Sequence, residues 1–188
     1  MADAEELARI ELARRGDAQA LRFKLYRQGR DIPLSEVLPM LENMGLRILS
    51  EHPYVVVLSG GNIYIQDFEV VPERRPDFDL DALKDAFQQA FERIWRGDAE
   101  NDGFNDLILA AGLDWRQVAM LRACCKYLLQ TGVPFSQAYM EQTLCKYPLH
   151  ARLLVELFEA KFVPAREQPS RTVADAARKR IARELAPL

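Results

Sequence analysis

The sequence predicts an α+β protein in which a mixed strand-and-helix unit is followed by a wholly helical segment. Two observations predict it. Between Leu21 and Val70, on either side of one helix-spaced stretch from Ser35 to Met44, the apolar residues alternate or come in β-branched runs broken by glycine and proline, which is how strands and turns read. From Asp79 onward they recur at three- and four-residue spacing, which is how one buried helix face reads.

Taken in order, Ala4 to Arg15 alternate apolar and charged residues at helical spacing. Leu7, Ile10 and Leu12 form the sparse apolar side and Gly16 terminates it, so a helix is expected. Leu21, Phe23 and Leu25 alternate with Arg22, Lys24 and Tyr26, a strand with one buried face. Gln28-Gly29-Arg30-Asp31 is a turn. A helix is predicted from Ser35, with Val37, Leu38, Leu41 and Met44 on one side and Gly45 at its C′ position. Pro39 is tolerable there because it lies near the helix start.

Leu46 to Leu58 is apolar and β-branched but interrupted by Pro53, which marks a bent or edge strand. Ser59-Gly60-Gly61-Asn62 is a hairpin turn of the primed kind, with glycines supplying positive φ. Ile63, Ile65, Phe68 and Val70 form the next strand, with a bulge expected where the alternation slips between Ile65 and Phe68. Pro72 and Pro76 close it, and Asp79 begins a helix through Arg96 with Leu83, Phe87, Ala90, Phe91 and Ile94 inward.

That βαββα order is a ferredoxin-like split unit lacking its last strand. A right-handed crossover sets the first two strands parallel with the third between them, giving a three-stranded sheet whose helices share one face. Phe87 and Phe91 should then touch Phe23 or Leu25. The strand at Leu21 to Arg27 is left with an open edge, to be covered by the Ala4–Arg15 helix or by another chain or domain.

Beyond Gly97 everything reads as helix. Phe104 to Ala111 ends at Gly112. Asp114-Trp115-Arg116-Gln117 is a capping box opening a helix to about Thr131, with Val118, Leu121, Cys125, Leu128 and Leu129 as its stripe. Gly132 stops it, Ser136 caps the next helix to Tyr147, and Pro148 opens another through Phe162. Pro164 and Pro169 bracket a linker, and Thr172 to Leu185 is a final polar helix. The expected domains are 1–97, 98–164 and 165–188.

A chain of 188 residues can bury a core without a metal or disulfide staple. Its net charge of −3 does not argue for nucleic acid or an anionic membrane, and no apolar run reaches spanning length. The acidic start Met1-Ala2-Asp3-Ala4-Glu5-Glu6 is neither a signal nor a transit peptide, so the cytoplasm is expected. Cys124, Cys125 and Cys145, with only His52 and His150 beside them, read as reduced apolar residues and not as a disulfide frame or metal site. Asp77, Asp79, Asp81 and Asp85 favour a helix start. The Arg-Gly-Asp triplets at 15–17 and 96–98 read as helix ends, not adhesion loops. Tyr127, Phe135 and Tyr139 read as helix-packing aromatics. No GxGxxG, P-loop or nucleophile motif occurs, so no catalytic, cofactor-binding or metal residue is assigned.

Five runs carry a family resemblance: Leu21 to Arg27, Leu34 to Gly45 (LSEVLPMLENMG), Trp95 to Asn105 (WRGDAENDGFN), Ala111 to Arg116 and Leu128 to Met140 (LLQTGVPFSQAYM). In that order they resemble the region before the catalytic domain of the large bacterial NAD-specific glutamate dehydrogenases. The chain departs from that pattern at Asp106, where a basic residue is usual, and at Lys161-Phe162-Val163-Pro164, where Arg-Phe-Asp-Pro is expected. The resemblance implies an ACT-like regulatory module followed by a helical segment, with the catalytic lysine and the NAD site elsewhere in the parent. It implies a non-catalytic regulatory or scaffolding fragment of an enzyme converting glutamate to 2-oxoglutarate and ammonia. The alternative is a free-standing ACT-like module that binds an amino acid or a protein. Implied partners are the remaining domains of the parent, further copies in a homo-oligomer, and an amino-acid effector. ACT modules commonly bind such effectors at the loop after the first strand, here Gln28, Gly29, Arg30 and Asp31.

Overall fold

The computed structural model describes residues 7–14, 20–73, 79–162 and 171–185. Four strands form one antiparallel sheet: β1 (Leu7–Arg14), β2 (Leu21–Gln28), β3 (Leu46–Leu58) and β4 (Gly61–Pro72), in the order β1-β2-β4-β3. β2 and β3 run parallel with β4 between them, as the crossover rule requires. Helix α1 (Leu34–Asn43) makes that crossover and α2 (Leu80–Trp95) follows β4.

The N-terminal segment is a strand, not the expected helix. Ile10 to Leu12 is a step of two, and the strand pairs with β2 so that Leu12 faces Phe23 and Glu11 faces Lys24. Helix propensity in an alanine- and arginine-rich stretch is a weak preference, and an open strand edge with a buried face overrides it. Leu12 is fully buried, and Tyr26 donates to Glu11 across the same pair at 3.3 Å. The edge expected to be open at Leu21 to Arg27 is therefore filled from within the chain, and the sheet has four strands.

Two further expectations are corrected. β4 pairs residue for residue with β2 from Ile63 to Val70, without a bulge. The apparent slip arises because Ile63 and Ile65 lie on the open face of the sheet while Tyr64, Gln66, Phe68 and Val70 follow the helix face. The irregularity is in β3, between Ile48 and Ser50. In the hairpin, Leu58 pairs with Gly61 across Ser59-Gly60, and positive φ falls on Gly61 (121°), not on the two central residues a primed turn would need. Pro39 is the sixth residue of α1 and past its first turn; the Ser35 carbonyl it leaves without a donor is on an exposed residue.

The helix face of the sheet buries Leu21, Phe23, Leu25, Phe68 and Val70 against Val37 and Leu41 of α1 and Phe87 and Phe91 of α2. Phe23 is the hub. Its ring lies 4.9 Å from Phe91, 5.9 Å edge-on from Phe87 and 6.3 Å from Phe68, as the sheet arrangement predicted. On the opposite face Asp67, almost fully buried, pairs with Arg22 and, at 3.7 Å, with Lys24.

The helical half begins with a 3-10 turn (Gly103–Asp106) running into α3 (Leu107–Ala111). Then come α4 (Trp115–Gln130), α5 (Gln137–Lys146), α6 (Pro148–Phe162) and α7 (Arg171–Leu185). The Asp114–Gln117 capping box is formed, and Ser136 accepts from the Tyr139 amide at 3.2 Å. The linker expected between Pro164 and Pro169 lies outside the described residues, as do Asp77 and the first Arg-Gly-Asp triplet. Among the described residues nearly all the buried apolar side chains of both halves, from Leu12 to Val155, form a single contiguous core.

Candidate functional site

The loop singled out as an effector site sits at the end of β2 that abuts the β3–β4 hairpin. Gly29 has φ 91°, and its amide donates to the Asn62 carbonyl at 3.0 Å. Gly29, Arg30 and Asp31 are exposed, whereas Ile32 is buried and its carbonyl accepts from Gln66 Nε2 at 2.6 Å. Pro33 precedes α1 without any side-chain cap, so the Leu34 and Ser35 amides at the helix start have no intrahelical acceptor. Beneath the loop lie Arg27, buried with its guanidinium 5.8 Å from the Trp95 ring, and Gln66, whose Oε1 has no hydrogen-bond partner. A turn, a helix start and two buried polar side chains thus meet here.

The more elaborate polar construction is at the junction between the sheet unit and the helices, built by the residues from Trp95 to Asn105. α2 ends in a Schellman motif: the Gly97 amide bonds to Ile94 O at 3.0 Å and the Asp98 amide to Arg93 O at 2.8 Å. Gly97, at φ 75°, takes the left-handed position that motif requires, so the Arg96-Gly97-Asp98 triplet is a helix end. Arg93 then bonds Asp98 at 3.0 Å and lies 5.2 Å from the Trp115 ring, with Arg116 4.6 Å from the same ring. An indole flanked by two guanidinium groups ties α2 to the start of α4.

Inside the junction, Arg122 of α4 is buried and multiply bonded. Its guanidinium grips Asp102 through two bonds of 2.7 and 2.8 Å, donates to Asn105 Oδ1 at 2.8 Å, and lies 5.8 Å from the Phe104 ring. Asp102 also caps the 3-10 turn through the Phe104 amide and accepts from Gln137 of α5 at 3.2 Å. Asn105 donates back to the Glu100 carbonyl at 2.9 Å. At the rim the Lys126 ammonium bonds Glu100 and holds that carboxyl below its usual range. One charged pair therefore organises the turn, α4 and α5 together.

The C-terminal end of α1 docks on this knot. Gly45, at φ 79°, has no room for a side chain: a Cβ would lie 2.2 Å from Asp106 Oδ1. Its carbonyl accepts from Glu73 at 2.9 Å, and Asn43 bonds Asn101 at 3.0 Å. A cleft of about 180 Å³ at this seam is walled by Glu42, Glu73, Asp106 and Glu141. Among the described residues no three His, Cys, Asp or Glu side chains come together where they could hold a metal.

A second, apolar groove of about 220 Å³ runs between α4, α5 and α6, lined by Leu121, Cys125, Leu128, Met140 and Leu144. Burial first, and then the Glu141 and Asp102 carboxylates, push the Cys125 thiol up and keep it protonated. Cys124 is exposed, and Tyr127, Phe135 and Tyr139 are more exposed than packing aromatics would be. Among the described residues no helix is long and apolar enough to cross a membrane.

Sequence reasoning located the turn after β2 but missed Arg122, Asp102 and the Gly45–Asp106 approach. The available signal was the density of Asp, Asn and Gly between Asp98 and Asp106, too many for a plain turn.

Known proteins match the same two units. The family model described as glutamate dehydrogenase, ACT3 domain, matches residues 8–83, and that described as glutamate dehydrogenase, helical motif 3, matches residues 99–164. An NAD-specific glutamate dehydrogenase of Halomonas elongata is 46% identical over 153 residues, 81% of this chain and 9% of that protein. Those of Pseudomonas aeruginosa and Mycobacterium tuberculosis are 42% and 38% identical over 84% and 85% of the chain, each time 10% of the relative. The chain thus spans about a tenth of the length of these relatives.

Proposed function

Since this chain belongs to the NAD-specific glutamate dehydrogenase family, as an ACT domain joined to a helical motif, we propose that it is a non-catalytic scaffolding and regulatory segment. The parent would oxidise glutamate to 2-oxoglutarate and ammonia with NAD, its reacting groups lying in the remaining nine-tenths of the chain. Continuity of the core across the two matched units is the observation that carries this reading. Two units sharing one core move as a single body, which suits a rigid spacer between other domains. Their buried polar groups support it too: Arg122, Asp102 and Asn105 bond to one another, to Gln137 and to backbone.

The purified chain should reduce no NAD when given glutamate at any pH. Turnover that scales with its concentration and survives repurification would overturn the reading. For the regulatory part, an amino acid would place its carboxylate at the Leu34 and Ser35 amides beside Gln28, Gly29, Arg30 and Asp31. Calorimetric titration with a panel of amino acids, repeated on Gly29→Val and Asp31→Ala, tests this. Binding unchanged by both substitutions puts the ligand elsewhere, and no binding to chain or parent leaves the segment purely structural.

A further inference from the structure

We propose that the apolar groove between α4, α5 and α6 is the docking site for an amphipathic helix from another part of the same long polypeptide. The inference rests on the reading of this chain as a segment of a larger enzyme. Its first ground is the make-up of the wall. Charged residues are over a quarter of the sequence, yet none occurs from Tyr127 to Met140, and none lines the groove. Leu128, Tyr139 and Leu154 stand there 46%, 53% and 40% exposed, and Phe135, itself half in water, stacks on Tyr139 at 5.1 Å. Aromatic and methionine side chains without charges are the composition of a buried interface centre, not of a solvated surface.

Backbone polarity is the second ground, and it selects a helix. Three polar hydrogens of the wall are already given to neighbours: Thr143 Oγ1 donates to the Tyr139 carbonyl at 2.7 Å, Cys124 Sγ to Met120 Sδ at 3.8 Å and Cys125 Sγ to Met140 Sδ at 3.2 Å. A strand or loop laid here would bury amides and carbonyls against a wall with almost nothing to offer them. A helix brings only side chains, its backbone being bonded internally. From Leu121 to Leu128 the α4 wall is two helical turns long, about 10 Å, so the occupant should present apolar residues at i, i+3 or i+4, and i+7.

The third ground is where that helix comes from. Among the described residues the other helices that face water do so with charge: Glu36 and Glu42 on α1, Asp81 and Asp85 on α2, and Arg178, Lys179, Arg180 and Arg183 on α7. A second copy could therefore offer this groove only the groove's own wall. An unrelated protein would find no charge here to select it. A helix in the same polypeptide needs no such selection, because its linkage holds it at an effective concentration of up to about millimolar. Some nine-tenths of the relatives' length lies outside this chain and is available to supply it.

Cys124, exposed and at the groove, is the reporter. Its labelling by a neutral maleimide, located by peptide mass spectrometry, should be fast in this chain at any protein concentration. In the full-length parent it should be about tenfold slower or more, as for a groove open about a tenth of the time or less. Leu128→Glu should leave the circular dichroism spectrum and the Cys124 rate of the chain unchanged, and restore fast labelling in the parent. A benzophenone side chain in place of Leu154 in the parent should photo-link within one polypeptide, to residues three, four or seven apart. Equal labelling of chain and parent, protection that survives Leu128→Glu, protection of the chain that grows with its concentration, or a linked product of doubled mass each overturns the proposal. NAD turnover by the chain alone would instead sink the non-catalytic reading, and would leave these labelling rates unmoved.

Discussion

Replacing Arg122 with methionine tests whether the junction is held by one buried charge. The side chain keeps most of its volume, but it stops short of the guanidinium carbon and loses every donor. Arg122 is 5% and Asp102 15% exposed at the side chain, so the pair is largely out of water. Deleting one member of a buried pair typically costs about 3–5 kcal/mol, because the other charge is left without its counterpart. Two features pull this case to the low end: Asp102 keeps the Phe104 amide and Gln137, and its partial exposure admits water. Asn105 Oδ1 loses a charged donor, adding about 1 kcal/mol. The expected loss is therefore about 3–4 kcal/mol, read from urea melts followed by circular dichroism. Asp102→Asn combined with Arg122→Met should lose less than the sum of the single changes, since the double variant leaves no bare charge. A loss under about 1 kcal/mol for Arg122→Met, or strict additivity in the double variant, would refute the reasoning.

Gly45→Ala should cost at least about 2 kcal/mol, combining left-handed strain with the clash on Asp106; adding Asp106→Ala should restore only the clash part, as two melts would show. Phe87→Ala should lose about 3–5 kcal/mol, the range for a fully buried phenylalanine against Phe23, and a change below about 1 kcal/mol would mean that α2 does not pack there. Glu100 has a folded value below its unfolded one, so its contribution is present above the ordinary carboxylate pKa and is lost as pH falls through the depressed value. The stability gap between the chain and Lys126→Met should accordingly close at acidic pH, and a gap that widens instead would contradict the assigned cause. A disulfide reagent should modify the exposed Cys124 well before the buried Cys125 and Cys145, and equal rates would mean that α4 is not packed as described.

Most helices were legible because their signals are local: Asp114 with Gln117, Ser136 with Tyr139, and Gly45, Gly97 and Gly132 at their ends. The strand pairing from β2 onward was legible because Phe23 and Phe68 keep one parity along their strands. The N-terminal strand was not. Its residues favour a helix, and only the unsatisfied edge of β2, known once the rest is folded, decides otherwise. The bulge was misplaced for a related reason, since a strand apolar on both faces gives no reliable parity. The loop at Gln28 to Asp31 could be located, but that Gly29 bonds Asn62 depends on a hairpin tip over thirty residues away. Arg122 was invisible because a lone arginine on a helix looks solvated until Asp102 and Asn105 are brought beneath it.

Placing the fourth strand first in the chain also sets the path of the backbone. In the complete split unit the second helix must lead back into the sheet to supply the outer strand. Here β1 already occupies that lane, so α2 has no return to make and runs through the short turn after Gly97 straight into the helices. The sheet is thereby closed from its beginning and free at its end to become something else. Cutting the chain at that turn should not release two independent domains, since each piece would bare its side of a common interior. For anyone dividing a longer parent into expressible parts, the seam between the two family matches is the wrong place for the scissors.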